Sequence, residues 1–468
     1  MLTLALPLVV STGSWSLMHF CDRLLLSWYS TDAMAASMPA GIFYFSLLCI
    51  PLGISSYVNT FVAQYHGAGR PERVGPAIGQ GIRIGLLLMP FYLLLLPLAQ
   101  PLFDLIGHDP VQRVYEVKYF KVVLWGSGAA IISESLTAYF TGRGKTPVVM
   151  IVNVTAVLLN VVLDWILIFG HFGLPEMGIT GAAIATVAMQ WCRVLFYILI
   201  IVLEKEERRR HNFVGGLMHF DGELFRRIIR FGGPNGIQFF VEIAGFTAFI
   251  LLVGRIGDLA MKTTTLAFTI NTFAFMPLLG MSIATATLVG QQLGRNMPER
   301  ADRAVWTSFI MALGYIIVIS LFYFFTPGLF LYLYKIHTNP AEFTAMSEVT
   351  VILLRFVAIY SVFDASMMIF AGALRGAGDT RFILLVNFVM AIWPTPVAAL
   401  GMYYFGLGLY WCWTIMTIWV VMLGLIFLMR YLQGKWRTMR VIEAEAFGDG
   451  SGMASVAAEG TAVVADTL

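Results

Sequence analysis

Charge is scarce in this sequence. Only 12% of its 468 residues are Asp, Glu, Lys or Arg, about half the share of an ordinary soluble domain, while 59% are apolar and 14% aromatic. So little polar surface cannot clothe a water-soluble body, which leaves the lipid bilayer as solvent. Cysteine is scarce too: Cys21, Cys49, Cys192 and Cys412 stand singly in apolar surroundings without CxxC or metal-ligand spacing, so they read as packing residues and neither disulfides nor zinc ligands. A Walker A sequence is missing, since GRGKT at 142–146 copies only its ending, and this argues against an ATP-driven pump. No nucleophile-elbow context surrounds any Ser or His. The formal charge of +3 is scattered, with no basic patch interleaved with exposed aromatics to suit nucleic acid. The chemistry expected is movement across a membrane, with no enzyme activity and no cofactor.

What the chain does have is long apolar runs. A spanning helix needs about 20 mainly apolar residues, and that ruler marks twelve, near 2–28, 39–65, 78–106, 119–141, 147–170, 177–203, 231–254, 264–292, 305–333, 346–374, 382–405 and 407–432. The opening MLTLALPLVV has no basic leader and no small-residue cleavage site, so it reads as the first helix and not as a signal peptide. The expected fold is an all-α membrane protein: an N-terminal lobe of six helices (1–203), a polar linker (204–230), a C-terminal lobe of six (231–434) and a tail (435–468) whose end, 448–468, is expected to be disordered. Lys and Arg crowd the even-numbered loops and the tail, as at Arg70, Arg73, Arg143, Lys145, Arg208, Arg295, Arg300, Arg375 and Arg430. By the positive-inside rule both termini are expected in the cytoplasm, in the cell (inner) membrane.

The two lobes repeat one another. QYHGAGRPERVGPA (64–77) returns as QQLGRNMPERADRA (291–304) at an offset of 227, which also pairs Pro7 with Pro234 and Gly53 with Gly280. A later offset of 234 pairs Gly142 with Gly376, Thr146 with Thr380 and Asn153 with Asn387. A six-helix unit puts both halves the same way up, related by a pseudo-two-fold along the membrane normal with a cavity between them, which suits one bundle rocking against the other. The repeated loop residues themselves read as turn chemistry: Gly and Pro break helices and Glu favours the next helix start.

Ionisable groups within spanning helices are functional candidates because insertion is costly. Five acids qualify: Asp22, Glu134, Asp164, Glu242 and Asp364. Asp164 lies about 28 Å of helix beyond Lys145 and shares a face with Asn160 one turn earlier, so Asp22, Asn160 and Asp164 are expected in one pocket of the N-terminal lobe. Glu242 past Arg230, and Asp364 before Arg375, each count to about 17 Å from a cytoplasmic charge, which sets them at one depth in the other lobe. Two carboxylates in a poorly hydrated cavity make a proton site, or a site for Na⁺ or a substrate cation if both stay charged. Glu134 has no counterpart in the second half, where Met368 takes its place; it either lines the cavity or partners a buried Arg such as Arg193. His19, near Asp22, is a candidate relay. Met and aromatic residues lining a cavity would suit small amphiphilic or cationic substrates.

Pro7 followed by Asp22, QYHGAGRPE, NVVLDWILIFG (160–170), GLPEMGITGAAIAT (173–186) and GALRGAGDT (372–380) occur here in one order and spacing. Together they resemble the multidrug and toxic compound extrusion (MATE) family over residues 4–434. The resemblance implies a V-shaped pair of lobes exporting organic cations or amphiphiles against inward Na⁺ or H⁺, and a monomer is expected. By position, Asp22, Asn160 and Asp164 look like the cation-coupling cluster of the DinF-like branch, and Glu242 and Asp364 like the C-lobe acids of the NorM-like branch. Because both sets are present, the branch does not name the ion. A lipid-linked precursor flippase of the wider superfamily is the alternative; it is expected to line its cavity with several Arg or Lys for pyrophosphate. A major facilitator carrier is a third, but its GxxxDRxGRR loop is replaced here by HGAGRPERVG.

Overall fold

Hydrocarbon offers no hydrogen bonds, so each crossing must satisfy its own backbone, and the apolar runs fold as helices. A computed structural model describes residues 1–106, 108–335 and 340–443, and all regular structure among them is helical. The first lobe comprises α1 (Leu2–Tyr29), α2 (Thr31–Gly67), α3 (Val74–Leu93), α4 (Ala99–Ile106), α5 (Pro110–Val123), α6 (Ser127–Gly142), α7 (Thr146–Phe169) and α8 (Ile179–Leu203). Two short helices, α9 (Lys205–Arg210) and α10 (Phe213–Met218), lead to the second lobe. That lobe holds α11 (Gly222–Gly254), α12 (Asp258–Gly294), α13 (Pro298–Phe325), α14 (Pro327–Lys335), α15 (Pro340–Ala377), α16 (Thr380–Ile392), α17 (Pro394–Phe405) and α18 (Leu409–Leu432). Eleven crossings are long and apolar enough on their own among the described residues. The other, fourth in the chain, is α5 and α6 joined through a 3-10 turn at Leu124–Gly126, its first part diluted by Arg113, Lys118 and Lys121.

Three expected crossings are therefore broken. The third stops at Leu93 and resumes at Ala99, the fourth begins at Pro110 and is interrupted at Leu124–Gly126, and the eleventh divides at Trp393, where Pro394 and Pro396 remove two backbone donors. By contrast α2 and α12 run further than expected, 37 residues each over Thr31–Gly67 and Asp258–Gly294. Their ends differ by the same 227 that relates the repeated loops. Residues 444–468 of the tail lie outside the described residues, including the stretch expected to be disordered.

The repeated polar residues do more than turn the chain, because the lobes meet through them. Gln64 is fully buried and its Nε2 donates to the Gly376 carbonyl, 3.1 Å, while Gln291 Nε2 donates to the Gly142 carbonyl, 2.8 Å. These are the same bond made twice, once in each direction across the seam. The glycines reciprocate likewise: a Cβ at Gly67 would fall 2.1 Å from the Gln291 carbonyl oxygen, and one at Gly294 2.2 Å from that of Gln64. Nearer mid-helix, Gly53 abuts Gly236 and Gly280 abuts Val9, again a pair related by the repeat. Asn59 Nδ2 donates to Thr287 Oγ1 at 2.9 Å and Tyr57 Oη to the Arg375 carbonyl at 3.0 Å. All these contacts lie in the halves of the helices that carry the basic loops, so that end of the molecule is sealed.

Both flanking segments dock against the same end. After α18 the chain turns at Gly434 and Trp436 stacks on Tyr431, 5.0 Å between centroids. Val441 then donates its backbone N–H to Gln64 Oε1, 2.9 Å, while Arg227 donates to the Val441 carbonyl, 2.8 Å, and Glu443 receives Arg73 at 3.1 Å. The tail thereby ties α2 to α11. On the N-terminal lobe, Glu207 holds Arg143 at 2.9 Å and Gly75 donates to the His211 carbonyl, 2.9 Å. His211 Nδ1 sits 2.6 Å from the Glu207 carbonyl.

Two outcomes are expected. Gly294→Leu should cost the seam about 1–3 kcal/mol by overpacking, so spin labels at Arg70 and Arg295 should report a longer distance; an unchanged distribution would contradict the close approach. Burial, reinforced by Arg143, pushes His211 down from 6.5 to about 4. Its unfolded ring takes a proton that the folded one refuses, so its contribution to stability is full above pH 6.5 and falls away towards pH 4. The melting temperature should drop between pH 7 and pH 5, and His211→Gln should flatten that drop; equal slopes in the two proteins would contradict it.

Candidate functional site

The acids sort into two groups, one in each lobe. In the first, α1 packs along α7, and the carboxyls of Asp22 and Asp164 face each other within hydrogen-bond reach. Asn160 and Asp164 are fully buried, one helical turn apart on α7. Neither the amide nor the carbonyl of Asn160, nor either oxygen of Asp164, nor Asp22 Oδ1, has a hydrogen-bond donor or acceptor partner supplied by the rest of the protein. A buried polar atom left unpaired costs about 1–3 kcal/mol, and here several converge. Two facing anions repel, whereas a proton or small cation between them removes the repulsion and satisfies the oxygens. Tyr119 from α5 lies within electrostatic range of both acids. His19, one turn before Asp22, is exposed on α1.

The second group is less crowded. Asp364 on α15 is 7% exposed and within electrostatic range of Glu242 on α11. Glu242 accepts a hydrogen bond from Gln238 Nε2 at 2.8 Å and also feels Arg375 at the basic end of α15. Cys49 of α2 lies near it, so Glu242 looks across the seam towards the first lobe. Tyr360, one turn before Asp364, has a buried hydroxyl without a protein partner. Sequence reasoning passed over Tyr119, Gln238 and Tyr360. The last two stand four residues before an acid, a helical spacing that could have flagged them; Tyr119 had no local signal, because α5 meets Asp22 only in the folded lobe.

Glu134 belongs to neither group. Its carboxylate is 3.5 Å from Arg193 Nη2, and Arg193, 3% exposed at its side chain, also donates to Asn153 Oδ1 at 3.1 Å and to Gln190 Oε1 at 3.0 Å. The guanidinium sits 4.8 Å from the Trp15 ring centre, and Asn153 passes the network on to Ser11 at 2.6 Å. Every polar partner of this network comes from within the first lobe, joining α1, α6, α7 and α8. Among the described residues, no three His, Cys, Asp or Glu side chains gather as a metal cluster.

Twelve crossings among the described residues, in two lobes related by repeat and with unpaired carboxyls at membrane depth, define a membrane transporter rather than an enzyme. The chain belongs to the MatE family, whose profile matches residues 7–166 and 234–400, once in each lobe. The two matches begin on Pro7 and Pro234, the repeat already described. Among curated relatives, a protein of Thermotoga maritima described as "Probable multidrug resistance protein NorM" is 27% identical over 450 residues, covering 95% of this chain and 94% of its own. The "Multidrug resistance protein MdtK" of Photorhabdus laumondii is 25% identical over 397 residues, covering 84% of each. A solved structure described as the outward-facing conformation of a multidrug resistance MATE family transporter superposes with a TM-score of 0.84 at 19% identity, covering 94% of this chain and 96% of that one. At that identity the likeness shows the fold.

Removing one side of the buried Arg193 network leaves the other uncompensated, about 3 kcal/mol or more. Because Arg193→Gln also strands Asn153 and Gln190, it should lower the melting temperature of the purified protein more than Glu134→Gln, and the double variant should recover part of the loss. Strictly additive losses would show that the two side chains do not act as a pair.

Proposed function

We propose that the chain is a secondary active antiporter that exports organic cations or amphiphilic compounds in exchange for inward Na⁺ or H⁺. The observation that carries this reading is the set of buried, unpartnered oxygens of Asp22, Asn160 and Asp164, which needs an exchangeable cation or proton to be stable. The names of the relatives supply the cargo class. In this reading residues 1–203 and 231–434 move as lobes about the seam, in the cell (inner) membrane with both termini cytoplasmic, as a monomer. The sealed basic-loop end is then the cytoplasmic side of an outward-open state.

Cation entry neutralises Asp22 and Asp164 and favours one lobe arrangement, while substrate at Glu242 and Asp364 favours the other. One charge moving down 100 mV releases about 2.3 kcal/mol, roughly a fortyfold concentration ratio, which drives export without ATP. His19, one turn before Asp22, would pass protons to it where H⁺ is the driver. Glu134 and Arg193 act as a structural pair. The engagement of Arg193 by four neighbours argues against the flippase reading, which needs cationic groups free to hold pyrophosphate.

The test is efflux of a fluorescent cation from proteoliposomes, with Na⁺ and pH gradients imposed separately. Asp22→Asn, Asp164→Asn and Asp364→Asn should each reduce efflux at least about tenfold at unchanged expression, since each removes a charge the cycle must titrate or balance. Normal efflux in all three would refute the assignment, and transport of neither cation-driven kind would refute antiport.

A further inference from the structure

On the basic-loop side of the second lobe, outside both acid groups, a cleft of about 500 Å³ is lined by Arg226, Arg227, Arg230 and Arg381 with a single acid, Glu223. The acid lies 3.9 Å from Arg227, and Arg227 is also committed to the Val441 carbonyl. Arg226, Arg230 and Arg381 have no carboxylate within ion-pair distance among the described residues. They come from two neighbouring helices, α11 and α16, and Arg381 stands in the first turn of α16, where the helix dipole adds to the positive potential.

Each helix continues the site into the membrane with an apolar stripe at helical spacing. Below Arg226 and Arg230 on α11 come Gly233, Ile237 and Phe240, at steps of seven, eleven and fourteen from Arg226, on one face. Ile237 and Phe240 are exposed, and space is open where a Cβ on Gly233 would lie. Below Arg381 on α16 come Leu385, Phe388 and Ile392, each more than half exposed, at steps of four, seven and eleven. Two apolar stripes therefore descend from one cluster of guanidiniums, each about 10 Å long.

We infer that this cleft binds an anionic phospholipid of the adjoining leaflet, its phosphate held by Arg226, Arg230 and Arg381 and its acyl chains laid along α11 and α16. The guanidinium fork matches phosphate oxygens, and basic pockets between spanning helices suit such head groups. A free oxyanion would use the arginines and leave the two stripes without purpose, so the lipid is the occupant that explains both halves of the site. This does not depend on what the protein transports.

The full chain in a neutral detergent would be titrated with phosphatidylglycerol, phosphatidylcholine or inorganic phosphate, reading bound lipid by native mass spectrometry and the melting temperature in parallel. Each Arg near an anionic surface contributes about fivefold, so phosphatidylglycerol should be retained at least about tenfold better than phosphatidylcholine. The triple variant Arg226→Gln/Arg230→Gln/Arg381→Gln should bring retention down to the phosphatidylcholine level, while Arg300→Gln/Arg303→Gln, elsewhere on the same side, should not. Should the triple variant fail to fold, Arg381→Gln alone should lose about fivefold. Equal retention of the two lipids, an unchanged triple or single variant, or a melting shift fully reproduced by inorganic phosphate would overturn the assignment.

Discussion

In hydrocarbon a polar atom finds a partner inside the protein or goes without, and this constraint organises the whole molecule. Most buried polar groups here are paired, and the pairs are what hold the helices in register. Gln64 and Gln291 cross the seam in opposite directions to backbone carbonyls that the bends at Gly376 and Gly142 leave available. Arg193 draws a ring of partners around itself inside the first lobe. Other buried polar atoms also lack a protein partner, but those of Asp22, Asn160 and Asp164 are gathered in one place. In the proposed antiport they are the place where the exchanged cation or proton would bind.

The glutamine seam also explains how such a molecule can be both rigid and divisible. The second lobe has an apolar core of its own, whereas that of the first runs on across the seam to Leu224, Ile228 and Ala284, so glycines and hydrogen bonds between the lobes are joined there by apolar packing. Small residues at Gly53, Gly67, Gly236, Gly280 and Gly294 allow the close approach of the backbones. The tail at Val441 and Glu443 lies over the seam and holds residues from both sides. Its release accompanies any separation of that end.

Much of this was legible in the residues. The number of crossings, the doubling of six helices, the family and the five intramembrane acids all follow from hydropathy, repeats and motifs. What those signals misjudged were breaks and reach: α3 and α16 stop early at turns and prolines that leave hydropathy unchanged, while α2 and α12 extend into polar sequence because docking continues there. The repeated loops read as turn chemistry, and nothing local marks Gln64 and Gln291 as side chains that reach across to another bundle.

The sequence by itself determined which stretches enter the bilayer and which residues are out of place there, because both depend on composition and on the fixed period of one helix. Only the tertiary structure decided who meets whom: that Asp22 faces Asp164 with Tyr119 beside them, that Glu134 is engaged by Arg193, and that three arginines from two helices share a cleft. Those meetings depend on how helices rotate, bend and pack against each other, and the chain order of a single helix carries no record of that.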